Sequence, residues 1–406
     1  MSGAVPVVDP IRGSGLGPAP ASELGSWLSE RTEEMVELLV RLARAESPSA
    51  DRAAQREPLS MIATELEQLG FEVGSIPGGE VGDHLVARSR WAAAGNGADL
   101  PRLLVGHIDT VWPIGTLAHM PVRSEAGRLH GPGVYDMKGG LVQAIYALRA
   151  IEALGLKLSS PVTLFVNTDE EIGSPHSREH LLGLAAAARE ALVLEPSFGS
   201  RGMLKTTRKG IGRFIIQVRG NASHAGIDPE GGASAILEAS HLIQSLFGLN
   251  DPTRGVTVNV GTIDGGLATN VVAPEVTATV EVRVTCAEDA AELERELHAL
   301  TPEDPATRLA VEGGFDRPPL EPTAGNRALW RRAGAVASEL GIEIEEASVG
   351  GASDGNLTSA LIPTLDGLGA VGDGAHTEHE HVLVERLPER AALLAGLLIA
   401  AEPPEG

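Results

Sequence analysis

The chain contains one cysteine, Cys286, so no disulfide can form within it. Cysteine usage leaves the redox compartment open, with a reducing cytoplasm as the default expectation. Basic residues are few: 32 Lys and Arg stand against 55 Asp and Glu, a formal net charge of −23. Phosphate backbones are bound by clustered Lys and Arg, so nucleic acid is not an expected partner. An apolar run approaching the roughly 20 residues that span a bilayer is also missing, which argues against a membrane role. Residues 1–20 are rich in Gly, Pro and small side chains and lack the basic start and apolar run of a secretory signal; a flexible tail is expected there.

With 406 residues, 43% of them hydrophobic, the chain is long enough for two domains, or for one interrupted by another. Apolar residues at helical spacing (Trp27, Met35, Leu38, Leu39, Leu42) predict an amphipathic helix over Ser26 to Ala45. A second is expected over Leu59 to Leu69, closed by Gly70. Strand-like runs then alternate with helices: strands at Leu103 to Val105, Val162 to Asn167 and Ala191 to Leu194, helices at Gly139 to Leu154 and His180 to Ala188. Such alternation implies a largely parallel sheet covered on both faces. The pattern changes near Arg208. Strands at Gly212 to Arg219, Val256 to Ile263 and Val276 to Val284, with helices at Ala233 to Phe247 and Ala287 to Leu300, form a small two-layer α+β unit. It is expected to end in a Gly- and Pro-rich loop, Gly313 to Pro322, before alternation resumes with a helix from Ala328 to Ile342. The expected layout is a tail (1–20), a first catalytic segment (21–208), an inserted domain (209–320) and a second catalytic segment (321–406).

Open α/β sheets place their sites at the carboxyl ends of the strands. Here those ends run into His or acidic residues again and again. Leu103 to Val105 leads to His107 and Asp109; Val162 to Asn167 leads to Asp169, Glu170 and Glu171; Ala191 to Leu194 leads to Glu195. Asp136 sits in Gly-Pro-Gly-Val-Tyr-Asp-Met-Lys-Gly-Gly just before a helix, and His376, His379 and His381 cluster near the C-terminus. One carboxylate after a strand is usually a helix cap or a solvated loop charge; the recurrence is not explained that way. Imidazole and carboxylate donors without thiolates suit Zn²⁺, with Co²⁺ or Mn²⁺ as alternatives, and two adjacent cations need a carboxylate between them. On an extended segment residues two apart face the same way, so Asp109 can support the His107 ring. Adjacent Glu170 and Glu171 diverge, which allows one to bind metal while its neighbour handles a proton.

The series His107-x-Asp109, Gly-x-x-Asp136-Met-Lys-Gly-Gly, Asp169-Glu170-Glu171-x-Gly-Ser, Glu195-Pro, Ser223-His224-Ala-Gly and Gly374-Ala-His376-Thr-x-x-Glu380 resembles the motifs of the M20 metallopeptidases, in the same order over roughly residues 30–400. The resemblance implies a zinc-peptidase-like α/β catalytic domain with a mostly parallel central sheet, interrupted by a smaller α+β dimerisation or lid domain. It implies two Zn²⁺ per subunit held by His107, Asp136, Glu171, Glu195 and His376, with Asp136 bridging and a cis bond after it. Glu170 is then the general base, Asp109 orients His107, and His224 stabilises the oxyanion in the partner subunit of a homodimer. Asn270, Arg283, Arg317 and the Gly351 segment are implied to meet a small peptide or N-acyl amino acid substrate. The implied activity is hydrolysis of an amide bond next to a free carboxylate, as in glutamate carboxypeptidase. The alternative within the family is an N-acyl amino acid deacylase such as aminoacylase or acetylornithine deacetylase.

Two rivals come from outside that family. Gly351-Ala-Ser353-Asp-Gly355 matches the Gly-x-Ser-x-Gly pattern of serine hydrolases, and Asp366 or Asp373 with His376 would complete a triad in the right order. The other is a non-catalytic binding protein built on a hydrolase fold.

Overall fold

The computed structural model describes residues 16–90 and 100–400. The chain divides into two compact units: one runs to Thr206 and takes up again over Pro322–Ser348 and from Ser353 on; the other comprises Thr207–Glu321 and Val349–Ala352.

The first unit is built on a six-stranded sheet. Its strands, in spatial order, are Glu72–Ile76, His84–Arg88, Val162–Asn167, Arg102–His107, Glu190–Val193 and Thr364–Leu365. The last four are mutually parallel, and the second strand runs antiparallel to both of its neighbours, so the sheet is mixed and mostly parallel at its centre. Alternation along the buried strands sends side chains to two cores. Leu104, Leu164, Val166 and Leu192 join a core with helices Thr32–Arg44, Gly139–Ala153 and Leu387–Ile399. Leu103, Val105, Phe165 and Val193 join the other with helices Arg178–Ala186 and Asp354–Ser359. Both faces are largely apolar because both are covered, which is why the middles of these strands are hydrophobic runs with polar residues toward their ends.

Two expectations near the N-terminus are corrected. Residues 1–15 of the expected tail lie outside the described residues, but from Pro18 the chain is helical, Pro18–Ser29, with Leu24 and Leu28 fully buried. Proline suits that first turn, where its missing N–H has no helical partner to lose. The single helix expected over Ser26 to Ala45 is two, because the chain breaks at Arg31 (φ −112, ψ 16) before Thr32–Arg44 begins. The Arg31 guanidinium stacks on Trp27, 3.8 Å from the ring centroid, and donates to the Trp27 carbonyl.

The second unit is a four-stranded antiparallel sheet in the order Thr257–Gly265, Glu275–Val284, Gly210–Arg219, Arg308–Arg317. Helices Ala235–Gly248 and Ala287–His298 cover one face, burying Phe214, Ile216, Val218, Val280 and Val282 against Leu242, Leu246, Leu293 and Leu297. The fourth strand occupies half of the expected loop Gly313 to Pro322. Its glycines are strand residues brought close to a neighbour: a Cβ on Gly313 would sit 2.1 Å from the Arg213 carbonyl oxygen. The short segment Val349–Ala352 belongs with this unit: Lys209 N–H donates to the Val349 carbonyl (3.1 Å), Arg283 to Gly350 (2.7 Å) and Arg208 to Gly351 (3.2 Å).

Candidate metal centre

Three parallel strands deliver the first donors. His107 ends Arg102–His107, the turn Glu170–Ile172 follows Val162–Asn167, and Glu195 follows Glu190–Val193. Asp136 arrives between Gly133 and the helix Gly139–Ala153, whose first turn lies tight against the sheet: a Cβ on Gly140 would meet the Leu194 carbonyl oxygen at 2.1 Å. The Asp136–Met137 peptide bond is cis, as the resemblance implies. Met137 Sδ accepts from the His107 N–H at 3.2 Å, tying this segment to the neighbouring strand end.

These side chains converge. His107 Nε2 lies 3.3 Å from Asp136 Oδ1 and 3.4 Å from Glu195 Oε1. His376 Nε2 lies 3.5 Å from Asp136 Oδ2 and 3.0 Å from Glu171 Oε2. Asp136 thus presents one oxygen to each imidazole. Two trios, His107–Glu170–Glu195 and His107–Asp136–Glu171, each have donor atoms within 4.8 Å of one another. His107 Nε2 and Asp136 Oδ1 are buried and make no hydrogen bond. Buried polar atoms are normally satisfied, so an orphaned imidazole nitrogen beside an orphaned carboxylate oxygen fits a metal-binding position. The opposite ring nitrogen, His107 Nδ1, is 3.0 Å from the Asp109 carbonyl oxygen and 3.4 Å from Asp109 Oδ1, which turns Nε2 inward as metal-binding histidines require.

The electrostatics agree. Asp136 and Glu171 raise the His376 imidazole to about 10. Burial works against the His107 imidazole, yet Asp109, Asp136 and Glu195 outweigh it and hold it well above its usual range. Burial pushes the Glu171 carboxyl up, while His107 and His376 hold that of Asp136 well down against its own burial. The cluster concentrates negative charge in a dry place and stabilises any cation there, which suits a divalent ion. The donor set, imidazole and carboxylate without sulfur, fits zinc and its near relatives.

Two carboxylates take on tasks beyond those read from the sequence. Asp109 accepts from Ser49 Oγ (2.6 Å) and from the backbone N–H groups of Glu170 (3.2 Å) and Glu171 (3.1 Å), so it positions that pair as well as His107. Glu380, present in the C-terminal motif, accepts from Trp112 Nε1 and from the N–H groups of Gly133, Tyr135 and Asp136 at 2.9–3.1 Å. It fixes the loop that carries Asp136.

The remaining candidates lie in the second unit. His224 is exposed and bridges to Val271, and Ala225 N–H donates to the Asn270 carbonyl at 3.0 Å, so His224 and Asn270 are neighbours. Gly226 N–H donates to His224 Nδ1 at 3.1 Å, which places the proton of the neutral ring on Nε2. Arg283 is engaged by Glu281 (2.7 Å) and the Gly350 carbonyl, and Arg317 closes its strand opposite Ile211, 6% exposed.

The serine-hydrolase alternative is overturned. Ser353 is fully buried as the N-cap of helix Asp354–Ser359: its Oγ donates to Asp366 Oδ2 (2.6 Å) and accepts from Gly355 N–H (3.0 Å). A nucleophile must be reachable; this hydroxyl is a cap.

A mixed α/β sheet whose strand ends gather imidazoles and carboxylates defines a protein with a candidate metal centre. The chain belongs to peptidase family M20/M25/M40, whose family model matches residues 103–400, and with it to the metal-dependent hydrolases acting on C–N bonds. It is 28% identical to carboxypeptidase G2 of Pseudomonas sp. over 396 residues, 96% of this chain and 94% of that protein. It is 28% identical to the succinyl-diaminopimelate desuccinylase of Nitrosospira multiformis, across 81% of this chain and 89% of the relative. The aminopeptidase PepT of Bacillus cereus shares the fold, with a TM-score of 0.71 at 22% identity, covering 90% of this chain and 98% of the other. Among the described residues, no helix is long and apolar enough to cross a membrane.

Proposed function

We propose that this protein is a two-zinc hydrolase that removes an amino acid from a small peptide or N-acyl compound by cleaving the amide bond next to a free carboxylate. The observation that carries this reading is the end-to-end similarity to carboxypeptidase G2, over nearly the full length of both chains. His107 and Glu195 would hold one ion and Glu171 and His376 the other, with Asp136 shared; Co²⁺ or Mn²⁺ could take the place of Zn²⁺. When bound, the ions polarise the scissile carbonyl and make the attacking water acidic. Glu170 takes the proton from that water and delivers it to the departing nitrogen. Arg317 is assigned the substrate carboxylate, since a planar guanidinium meets two oxygens at once; Asn270, Arg283 and the Gly351 segment are assigned further substrate contacts. His224, with its proton on Nε2, is assigned the developing oxyanion.

The assembly in this reading is a homodimer in which His224 of one copy serves the centre of the other. Support comes from the second unit itself: Thr257–Gly265 is an edge strand, and Ile263, Leu267, Ile236, Leu237 and Phe247 on and beside it are 48–74% exposed. An unpaired strand edge flanked by large apolar side chains favours a symmetric partner.

The long alignment with a desuccinylase favours a second reading, N-acyl deacylation at the same centre. A zinc- or cobalt-reconstituted enzyme tested on dipeptides, N-acyl glutamates, and N-acetyl and N-succinyl diamino acids separates them. The first reading predicts the highest kcat/KM on compounds that release a carboxylate-bearing amino acid from a peptide or aryl-acyl group. A preference for succinyl or acetyl groups would assign the enzyme to the second.

A further inference from the structure

One distant carboxylate fastens both ends of the turn that carries Glu170. Asn167 closes the strand Val162–Asn167 just before it, and Ser174 follows it. Asn167 Nδ2 donates to Asp354 Oδ2 at 2.6 Å, and Ser174 Oγ donates to Asp354 Oδ1 at 2.6 Å. Asp354 is 2% exposed and both partners are fully buried. Between the two tethers the backbone doubles back. Gly173 N–H donates to the Glu170 carbonyl and Ser174 N–H to the Asp169 carbonyl, each at 2.8 Å. Gly173 (φ 96) and Ser174 (φ 58) are both left-handed there. A serine tolerates that region poorly, so its hydroxyl bond to Asp354 holds a conformation the residue would otherwise leave.

We propose that Asp354 is a positioning residue for Glu170: it closes the turn from Asn167 to Ser174 and thereby sets which way the Glu170 carboxylate points. The proposal rests on the reading of Glu170 as general base. Glu170 and Glu171 are adjacent, and the turn must send one carboxylate to the ligand set and the other to the attacking water. Asp109 holds the N–H groups of both, and Asp354 holds the flanks. Loss of one flank lets the turn rotate, and a displacement of about 1 Å at a proton-transferring group costs on the order of 10²-fold in rate. This task also accounts for the acid in Gly351-Ala-Ser353-Asp354-Gly355, where Ser353 is a helix cap.

The test measures kcat, KM and bound zinc in the zinc-loaded enzyme for Asp354→Asn, Ser174→Gly, Glu170→Gln and the double variant Asp354→Asn/Glu170→Gln. Asparagine keeps the shape of Asp354 but replaces one acceptor oxygen with a donor, so one tether is lost. Glycine adopts φ 58 freely and removes the small Ser174 hydroxymethyl group with its tether, so this variant decides the matter if Asp354→Asn fails to fold. Asp354→Asn and Ser174→Gly are each expected to lower kcat about 10- to 100-fold, with KM changed less than about threefold and zinc retained. In the Glu170→Gln background, Asp354→Asn is expected to add less than about a further twofold, since no base remains to be aimed. Near-parental kcat in either folded, zinc-loaded tether variant overturns the proposal. So does an Asp354→Asn loss of equal size with and without Glu170. Near-full activity of Glu170→Gln alone overturns the reading of Glu170 as base, and the positioning role with it.

Discussion

Removing the Glu380 side chain should damage the metal centre without touching a ligand. Its carboxylate accepts from Trp112 Nε1 and from three backbone N–H groups, of Gly133, Tyr135 and Asp136. The residue is 1% exposed, so Glu380→Ala strands four donors in a buried space. An unsatisfied buried donor costs about 1–3 kcal/mol, and water entering the vacated volume keeps each near the low end, so the total is about 4 kcal/mol. Large domains lose roughly 2–4 °C per kcal/mol, which puts the fall in Tm at about 8 °C or more. Affinity for zinc should fall as well, because the Asp136 N–H is among the groups released. Thermal denaturation by circular dichroism and a calorimetric zinc titration read the two effects. Glu380→Gln, which keeps two of the four bonds, should lie between parent and Glu380→Ala. A Glu380→Ala enzyme that melts within about 2 °C of the parent and binds zinc equally well would refute the reasoning.

Three further outcomes are expected. His224→Ala should reduce kcat about 10²- to 10³-fold with metal content unchanged, and mixing it with Glu170→Gln should restore activity through mixed dimers; no rescue after confirmed subunit exchange would confine His224 to its own chain or to no role. Ser353→Ala should cost about 0.5–2 kcal/mol of stability as a lost helix cap while kcat stays near parental, whereas abolished turnover in folded enzyme would revive a nucleophilic serine. Arg332 and Arg102 outweigh burial and hold the Glu190 carboxyl below its ordinary value. A depressed carboxylate pKa gives stability that is present above the unfolded value, about 4.3, and lost as pH falls through the folded one. The parent should therefore lose stability more steeply than Glu190→Gln below about pH 4 in acid titrations followed by fluorescence, and parallel curves would contradict this.

What could be read from the sequence is what is local. Val162–Asn167 is a mostly apolar six-residue segment buried on both faces, and its bounds match the strand. The donors at the strand ends were legible because each stands next to such a run. The strand Arg308–Arg317 was hidden by Gly313 and Gly314, which read as loop until the approach of Arg213 is seen. The edge strand Glu72–Ile76 escaped for a different reason: it is mostly exposed and carries little apolar signal. The Gly-x-Ser-x-Gly pattern at Ser353 satisfied a local rule whose refutation, burial and the bond to Asp366, exists only in three dimensions. Glu380 and Asp354 lie 244 and 180 residues along the chain from Asp136 and Ser174, the residues they hold. No periodicity reports on pairs so far apart.

The central claim is that the activity depends on a pair of ions divided between His107–Glu195 and Glu171–His376 with Asp136 between them. The most direct measurement is a titration of chelator-stripped enzyme with Zn²⁺, following bound metal by elemental analysis and turnover in the same samples, alongside His376→Ala. The account predicts no turnover in stripped enzyme, full recovery at two equivalents per chain, and close to one tightly held equivalent with little turnover in His376→Ala. Turnover that persists in metal-free enzyme, or that saturates at one equivalent and survives His376→Ala, would contradict it.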